Sequence, residues 1–235
     1  LIFLGVILCL INIKKEVGYN PAKAASFFRN SSLDQTHVMN IALFDFDGTI
    51  TTEDTYTKFL FYATPKLRIA IGGLLALPVI LLYKLGWLQA SKTRPVLSKV
   101  AFWMRKESDV AQIAERYADE YLNTVIRPEA KEKLDWHRKR DDQIYLVSAS
   151  LDVYLKVWCK PLGITPVCSE LEVRNGRYTG RYVQGDCSKE NKVTFLKRAV
   201  DLADYDKVYA YGDTYEDLPM LELADEKLYQ WKPMK

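Results

Sequence analysis

Three short apolar runs, each ending on a polar side chain, constrain the fold of this chain more than any other feature. Ile41-Ala42-Leu43-Phe44 ends at Asp45, Ile144-Tyr145-Leu146-Val147 at Ser148, and Val208-Tyr209-Ala210-Tyr211 at Gly212-Asp213. Such short continuous runs bounded by turn signals read as buried strands feeding turns. Polar helical stretches precede them, for example Glu129 to Lys139, with Pro128 well suited to the first helical position. Strands alternating with helices predict an α/β fold with a doubly wound parallel sheet. Ligands of such sheets bind beyond the carboxyl ends of the strands, at the switch point in strand order. Here each of those ends carries a residue capable of chemistry.

Two segments break the alternation. Residues 55–127 read as mostly helical, and Asp109 to Asn123 forms the clearest helix. In it Asp109 and Gln112 are placed for a capping box, while Val110, Ile113, Ala114, Tyr117 and Tyr121 share one face. Residues Glu170 to Val183 alternate like a hairpin around Asn175-Gly176. The expected organisation is a core of residues 39–54 and 128–235, an inserted helical cap over 55–127, and a small β-hairpin flap.

The 235 residues suit one domain with an insertion, and 49% hydrophobic residues suffice for a real core. A net charge of +3 is too even to argue for a nucleic-acid partner. Four cysteines without a C-x-x-C pair, together with two histidines, argue against structural zinc or a disulfide framework. They read as small buried thiols in a reducing compartment, and the expected location is cytoplasmic. The first 13 residues are apolar except Asn12, yet reach only about 20 Å and lack preceding basic residues. Residues 1–38 are therefore expected to be a poorly defined leader, with a short membrane anchor as the alternative.

The chemistry concentrates in Asp45-Phe46-Asp47-Gly48-Thr49. Residues two apart on an extended chain share a face, so both carboxylates approach one ligand. Two anions that close call for a cation, and oxygen donors favour Mg²⁺. Gly48 lets the backbone turn and come close to a phosphate. Ser148 offers a hydroxyl and a backbone N–H to phosphate oxygens. Lys192, near the start of a helix, is placed to neutralise phosphate charge. Asp213 and Asp217 follow the third run, ready to complete a metal site. Alone, each feature has an ordinary structural reading: Asp and Gly build turns, and lysines at helix starts are usually solvated.

Together, and in this order, these residues resemble the haloacid dehalogenase-like hydrolase superfamily over about residues 40–235. The resemblance implies Asp45 as nucleophile, Asp47 as general acid and then base, and Ser148 and Lys192 as phosphoryl ligands. It also implies Mg²⁺ on the Asp45 carboxylate, the Asp47 carbonyl and Asp213, with Asp217 supporting through water. An acid at position 47 favours ester hydrolysis, since the ion-pumping members lack one. Phospho-acceptor signalling domains share some of these groups but are shorter and have no cap.

Within the superfamily the chain is most similar to the phosphoserine-phosphatase-like branch. Gly48 replaces that enzyme's usual serine, and Asp54 stands where a glutamate holds the substrate ammonium. The insertion points elsewhere. Ile69 to Tyr83 is an uncharged run of 15 residues, apolar on all sides. Between Thr55 and Lys106 lie nine Lys or Arg residues and no acid. That combination suits an anionic bilayer surface. Gly72-Gly73 and Pro78 are expected to bend the run into an interfacial hairpin, with Trp87 at the headgroup level. The pattern resembles the branch of bacterial phosphatidylglycerophosphate phosphatases and implies a lipid head-group substrate at the inner face of the cytoplasmic membrane. A soluble cap and a small-metabolite substrate form the alternative. His137, near a helix end, is expected to cap the helix or lie on the surface.

Overall fold

The computed structural model describes residues 39–234. The leader expected over 1–38, with Cys9, lies outside the described residues. The six-stranded sheet has the order β3-β2-β1-β6-β7-β8. Its strands are β1 (Asn40–Phe44), β2 (Gln143–Leu151), β3 (Thr165–Ser169), β6 (Lys207–Gly212), β7 (Glu226–Tyr229) and β8 (Lys232–Pro233). The first five run parallel, and β8 pairs antiparallel with β7. A separate antiparallel pair, β4 (Leu171–Arg174) and β5 (Arg177–Tyr182), turns through Asn175 and Gly176, at φ 51° and 68°. Those two left-handed residues are what the tight hairpin turn at Asn-Gly requires.

The predicted strands sit at the centre of the sheet for a simple reason. Along β1 alternate residues serve opposite cores: Ala42 and Phe44 join the cluster with Ile144, Leu146, Tyr209 and Tyr211. Ile41 and Leu43 join Tyr145, Val147, Val208 and Ala210 on the other face. A strand covered on both faces must be apolar throughout. The sheet margins were not readable in the same way. Thr165–Ser169 contains Pro166, which an edge strand tolerates, and Glu226–Tyr229 is short and half polar.

Between β1 and α5 (Pro128–Arg138) lie α1 (Thr55–Ala63), α2 (Lys66–Lys84), α3 (Ala90–Phe102) and α4 (Glu107–Glu120). Asp54 caps α1 by accepting from Thr57 N at 3.0 Å and Thr57 Oγ1 at 2.6 Å. Pro128 occupies the start of α5, as its fixed φ favours. Two expectations fail here. Helix α4 starts at Glu107 after Lys106, which puts Asp109 inside the first turn rather than at the cap. Glu107 and Asp109 instead place negative charge near the helix N-terminus. The 15-residue apolar run also does not break into a hairpin, because α2 is one continuous helix of 19 residues through Gly72, Gly73 and Pro78. Gly72 is the contact point with α3: a Cβ there would stand 2.1 Å from Val100 Cγ1.

The β4–β5 hairpin is tied to the insertion by main-chain bonds. Met104 N donates to Tyr178 O at 2.8 Å, Tyr178 N to Arg105 O at 3.0 Å, and Glu107 N to Gly176 O at 2.9 Å. Helix α6 (Asp152–Cys159) joins β2 to β3, α7 (Glu190–Ala199) lies between β5 and β6, and α8 (Leu218–Leu221) between β6 and β7. Cys159 and Cys187 are buried, and burial pushes both thiols up to about 12, which makes them inert packing residues.

His137 is not a surface histidine. Its side chain is fully buried on α5, with Nδ1 2.7 Å from Asp142 Oδ2 and Nε2 2.9 Å from the Tyr211 hydroxyl. Asp142 also accepts from Asn40 Nδ2 at 2.8 Å, so the pair anchors the helix end to β1 and β6. Burial, opposed by Asp142, lowers the histidine's pKa. The local sequence showed a helix end but not that the helix presses this end against the sheet.

Candidate active site

β1 lies between β2 and β6, in register Phe44↔Leu146 and Phe44↔Tyr211. Strand order reverses between β1 and β6, and the crevice at their carboxyl ends is where such sheets bind ligands. Asp45 leaves β1 at that point, held by its N–H to Tyr211 O at 2.9 Å. The chain then turns tightly, with Ile50 N and Thr51 N both donating to Phe46 O at 2.9 Å. Gly48 takes φ 86° in this turn. A Cβ on it would lie 2.2 Å from Asp213 Oδ2, so its missing side chain is what lets the Asp213 carboxylate approach. Arg127 Nε clamps the turn from outside, donating to Gly48 O at 2.9 Å and Thr51 O at 3.1 Å.

Lys192 is the centre of the cluster. It lies in the first turn of α7 and is wholly buried, unlike an ordinary helix-start lysine. Nζ donates to Asp45 Oδ1 at 2.5 Å, Asp217 Oδ1 at 2.6 Å and Val147 O at 2.8 Å, which uses all three protons. Burial disfavours its charge, but Asp217 and Asp45 outweigh that and raise its pKa. Asp217 is held below the usual range: burial pushes it up, and Lys192 with the N–H groups of Thr214 and Asp213 pulls it down. Asp217 Oδ2 accepts from Asp213 N at 3.1 Å, Thr214 N at 2.9 Å and Thr214 Oγ1 at 3.0 Å. Both its oxygens are thus engaged in holding Lys192 and the loop after β6.

Asp45 is raised well above the ordinary carboxylate range, first by burial and then by Asp217, with Lys192 opposing. Burial also raises Asp213, whose Oδ1 accepts from Thr49 Oγ1 at 3.0 Å. One oxygen each of Asp45, Asp213 and Asp217 lie within 4.8 Å of one another. Three carboxylates against one ammonium leave the group short of positive charge, and an all-oxygen donor set suits a hard divalent cation. The residues present fit Mg²⁺.

Asp47 lines the same cavity, and both its oxygens are bonded. Oδ1 accepts from Thr55 N at 2.6 Å and Thr55 Oγ1 at 2.5 Å, and Oδ2 from Ser150 Oγ. Burial raises its pKa and these bonds oppose the rise. Ser148 also lines the cavity, though not at a strand end as expected, because β2 continues to Leu151. The register with β3 shifts between Ser148 and Leu151, and this irregularity replaces the expected turn. Ser150 N donates to Ser148 Oγ at 3.1 Å. The cavity thus gathers Asp45, Asp47, Ser148, Lys192 and Asp217, while Gly48 and Asp213 lie against each other outside its lining.

Several participants escaped the sequence reading. Ser150 and Thr55 fix the Asp47 carboxylate, and the Ser-x-Ser spacing around Ala149 was the available signal for the first. Arg94 of α3 crosses to the core, with Nη1 3.0 Å from Asp186 Oδ1 and Nη2 2.7 Å from Glu216 Oε2. No local pattern announces a pairing between residues more than 90 positions apart.

Comparison with known proteins agrees with this geometry. Residues 42–222 match the family described as haloacid dehalogenase-like hydrolase. The CicA protein of Caulobacter vibrioides is 30% identical over 222 residues, covering 89% of this chain and 94% of its own. A histidinol-phosphatase of Neisseria meningitidis is 30% identical over 127 residues, 51% of this chain and 57% of its own. In fold, the chain is similar to a probable phosphoserine phosphatase of Vibrio cholerae, with TM-score 0.58 and 15% identity. That likeness covers 90% of this chain and 64% of the other. With the matched segment running from inside β1 to just past α8, and so enclosing every residue of the carboxylate cluster, the chain belongs to the haloacid dehalogenase-like hydrolase family.

Proposed function

We propose that this chain is a magnesium-dependent phosphomonoester hydrolase that works through a phosphorylated Asp45. The carrying observation is the buried Lys192 ammonium joining Asp45 to Asp217 at the mouth of the β1–β6 crevice. An Asp45 oxygen attacks phosphorus in line, the P–O bond to the alcohol breaks, the Ser148 hydroxyl donates to a transferring oxygen, and the Lys192 ammonium, held on Asp45 and Asp217, offsets the charge electrostatically. Asp47, with its raised pKa, gives its proton to the departing alkoxide. It then takes a proton from the water that cleaves the aspartyl phosphate and releases inorganic phosphate. Mg²⁺ would be held by Asp45 and Asp213 with the Asp47 carbonyl, and supplies charge neutralisation on the phosphoryl oxygens. Asp217, with both oxygens bonded, positions Lys192.

A finer reading concerns the substrate's setting. Helix α2 is long and apolar enough to lie in or cross a bilayer by length and composition, and only 11% of it is buried. Leu67, Leu74, Leu75, Leu85 and Trp87 are all more than 60% exposed, flanked by Lys66, Arg68, Lys84 and Lys92. An apolar helix rimmed by cations favours an anionic membrane face and a lipid head-group phosphate.

The test is phosphate release with Mg²⁺ from a panel of phosphatidylglycerophosphate, phosphoserine, histidinol phosphate and sugar phosphates, with Asp45→Asn as control. The variant is expected to lose turnover by about 10⁴-fold or more. Full turnover by Asp45→Asn would sink the proposal. Sedimentation with anionic vesicles tests the finer reading.

A further inference from the structure

The cavity that reaches Asp45 is about 710 Å³, far larger than a phosphoryl group needs. Its wall away from the carboxylates is built by the helical insertion, with Leu60, Ile69, Gly73, Ala76, Ile80 and Leu97 among the lining residues. From Ile69 to Ile80 this wall follows α2 for about 16 Å. The charged groups that line it on or next to the insertion are already engaged or lie at its exposed end. Asp54 is bonded to Thr57, Arg94 to Asp186 and Glu216, and Lys84 is exposed at the end of α2. Along the length of α2 from Ile69 to Ile80 a second ionic group on the substrate would meet no charged side chain; Lys84, at the exposed end, is the one cation of the wall outside an ion pair among the described residues.

The two adjacent glycines of α2 have different explanations. Gly72 is required by packing, because its Cβ would strike Val100. Gly73 has no such reason: a Cβ there meets nothing within 4 Å, and the residue sits in a helix where glycine is unfavourable. What it does is line the cavity.

We infer that the chamber between α1, α2 and α3 holds a hydrocarbon portion of the substrate's leaving alcohol, and that the absent side chain at Gly73 sets how much chain it admits. The inference rests on the phosphatase reading and names its substrate class: a phosphate ester of an alcohol with an apolar chain. Burying successive methylenes against this wall strengthens binding of the ester without altering the phosphoryl site.

The experiment measures kcat/KM for monomeric straight-chain alkyl phosphates from ethyl to decyl, without membranes, on wild type, Gly73→Ala and Gly73→Leu. Wild type is expected to gain about fourfold per methylene until a plateau. The plateau should come at shorter chains in the order Gly, Ala, Leu. Both substitutions favour helix, and circular dichroism checks that the variants fold. Competitive inhibition of wild type by the matching alkyl phosphonates gives a second readout that needs no variant. A wild-type profile flat with chain length, alongside normal turnover of p-nitrophenyl phosphate, overturns the chamber and leaves the phosphatase intact. An unshifted plateau in Gly73→Leu overturns the role of Gly73. Absence of turnover on every ester fails the underlying reading instead.

Discussion

The crevice at the ends of β1 and β6 and the helix α2 are built on opposite terms. In the crevice, Asp47, Lys192 and Asp217 are each held by several hydrogen bonds, and Lys192 and Asp217 are buried. On α2 only Gly72 and Ala76 are buried, and most of an apolar surface is left uncovered. The first region is densely bonded because a buried charge without partners is too costly to keep. The second is under no such demand from the rest of the fold, so its sequence is free to serve what lies outside it. The contrast sets a hydrogen-bonded acidic crevice beside an apolar helix that the rest of the fold leaves largely uncovered.

The comparison breaks most severely at Lys192. Lys192→Met leaves Asp45 and Asp217 buried without their shared counter-charge. A stability loss of about 3–5 kcal/mol is expected in urea denaturation, with turnover falling at least about 10²-fold. A variant as stable as wild type would mean that the crevice does not depend on this ammonium.

Gly48→Ala should cost less, about 1–3 kcal/mol, because the strain is one φ of 86° and one contact with Asp213. Its turnover should fall more than its stability, since the displaced group is a candidate cation ligand. Gly73→Ala provides the contrast within the same measurement: Cβ meets open space, so stability should hold or rise slightly.

The buried His137 gives a smaller, pH-dependent effect. Its pKa is lowered in the folded protein, so the unfolded chain takes up the proton first as pH falls. Stability is therefore full above the unfolded value of about 6.5 and declines as pH drops through the interval below it. Asp142, held below its usual value despite burial, acts in the same direction at lower pH. The unfolding free energy in urea should fall between about pH 7 and 5.5, with a slope from His137 of no more than about 1.4 kcal/mol per pH unit, and His137→Asn should flatten that limb. A histidine on the surface would give no such slope.

The smallest effect is expected on the outer face of α2. Leu75→Ser changes a residue 73% exposed, so stability should move by less than about 0.5 kcal/mol. Sedimentation with anionic vesicles should weaken measurably if that face meets a bilayer. A large loss of stability would instead show that the face is covered by protein in solution.

The sequence by itself determined the α/β class, the three central strands, the hairpin at Asn175-Gly176 and the set of polar residues at the crevice. These were legible because each rests on local chemistry: an apolar run needs two covered faces, an Asn-Gly pair permits left-handed backbone, and paired acids in one turn call for a cation. Only the tertiary structure decided that Lys192 is a buried bridge, that Ser150 and Thr55 hold Asp47, and that Arg94 spans from α3 to Asp186 and Glu216. It also buried His137 and kept α2 whole. Those outcomes depend on which surfaces meet across distant stretches of chain. A lysine, a histidine or a pair of glycines carries no local mark of what will be packed against it.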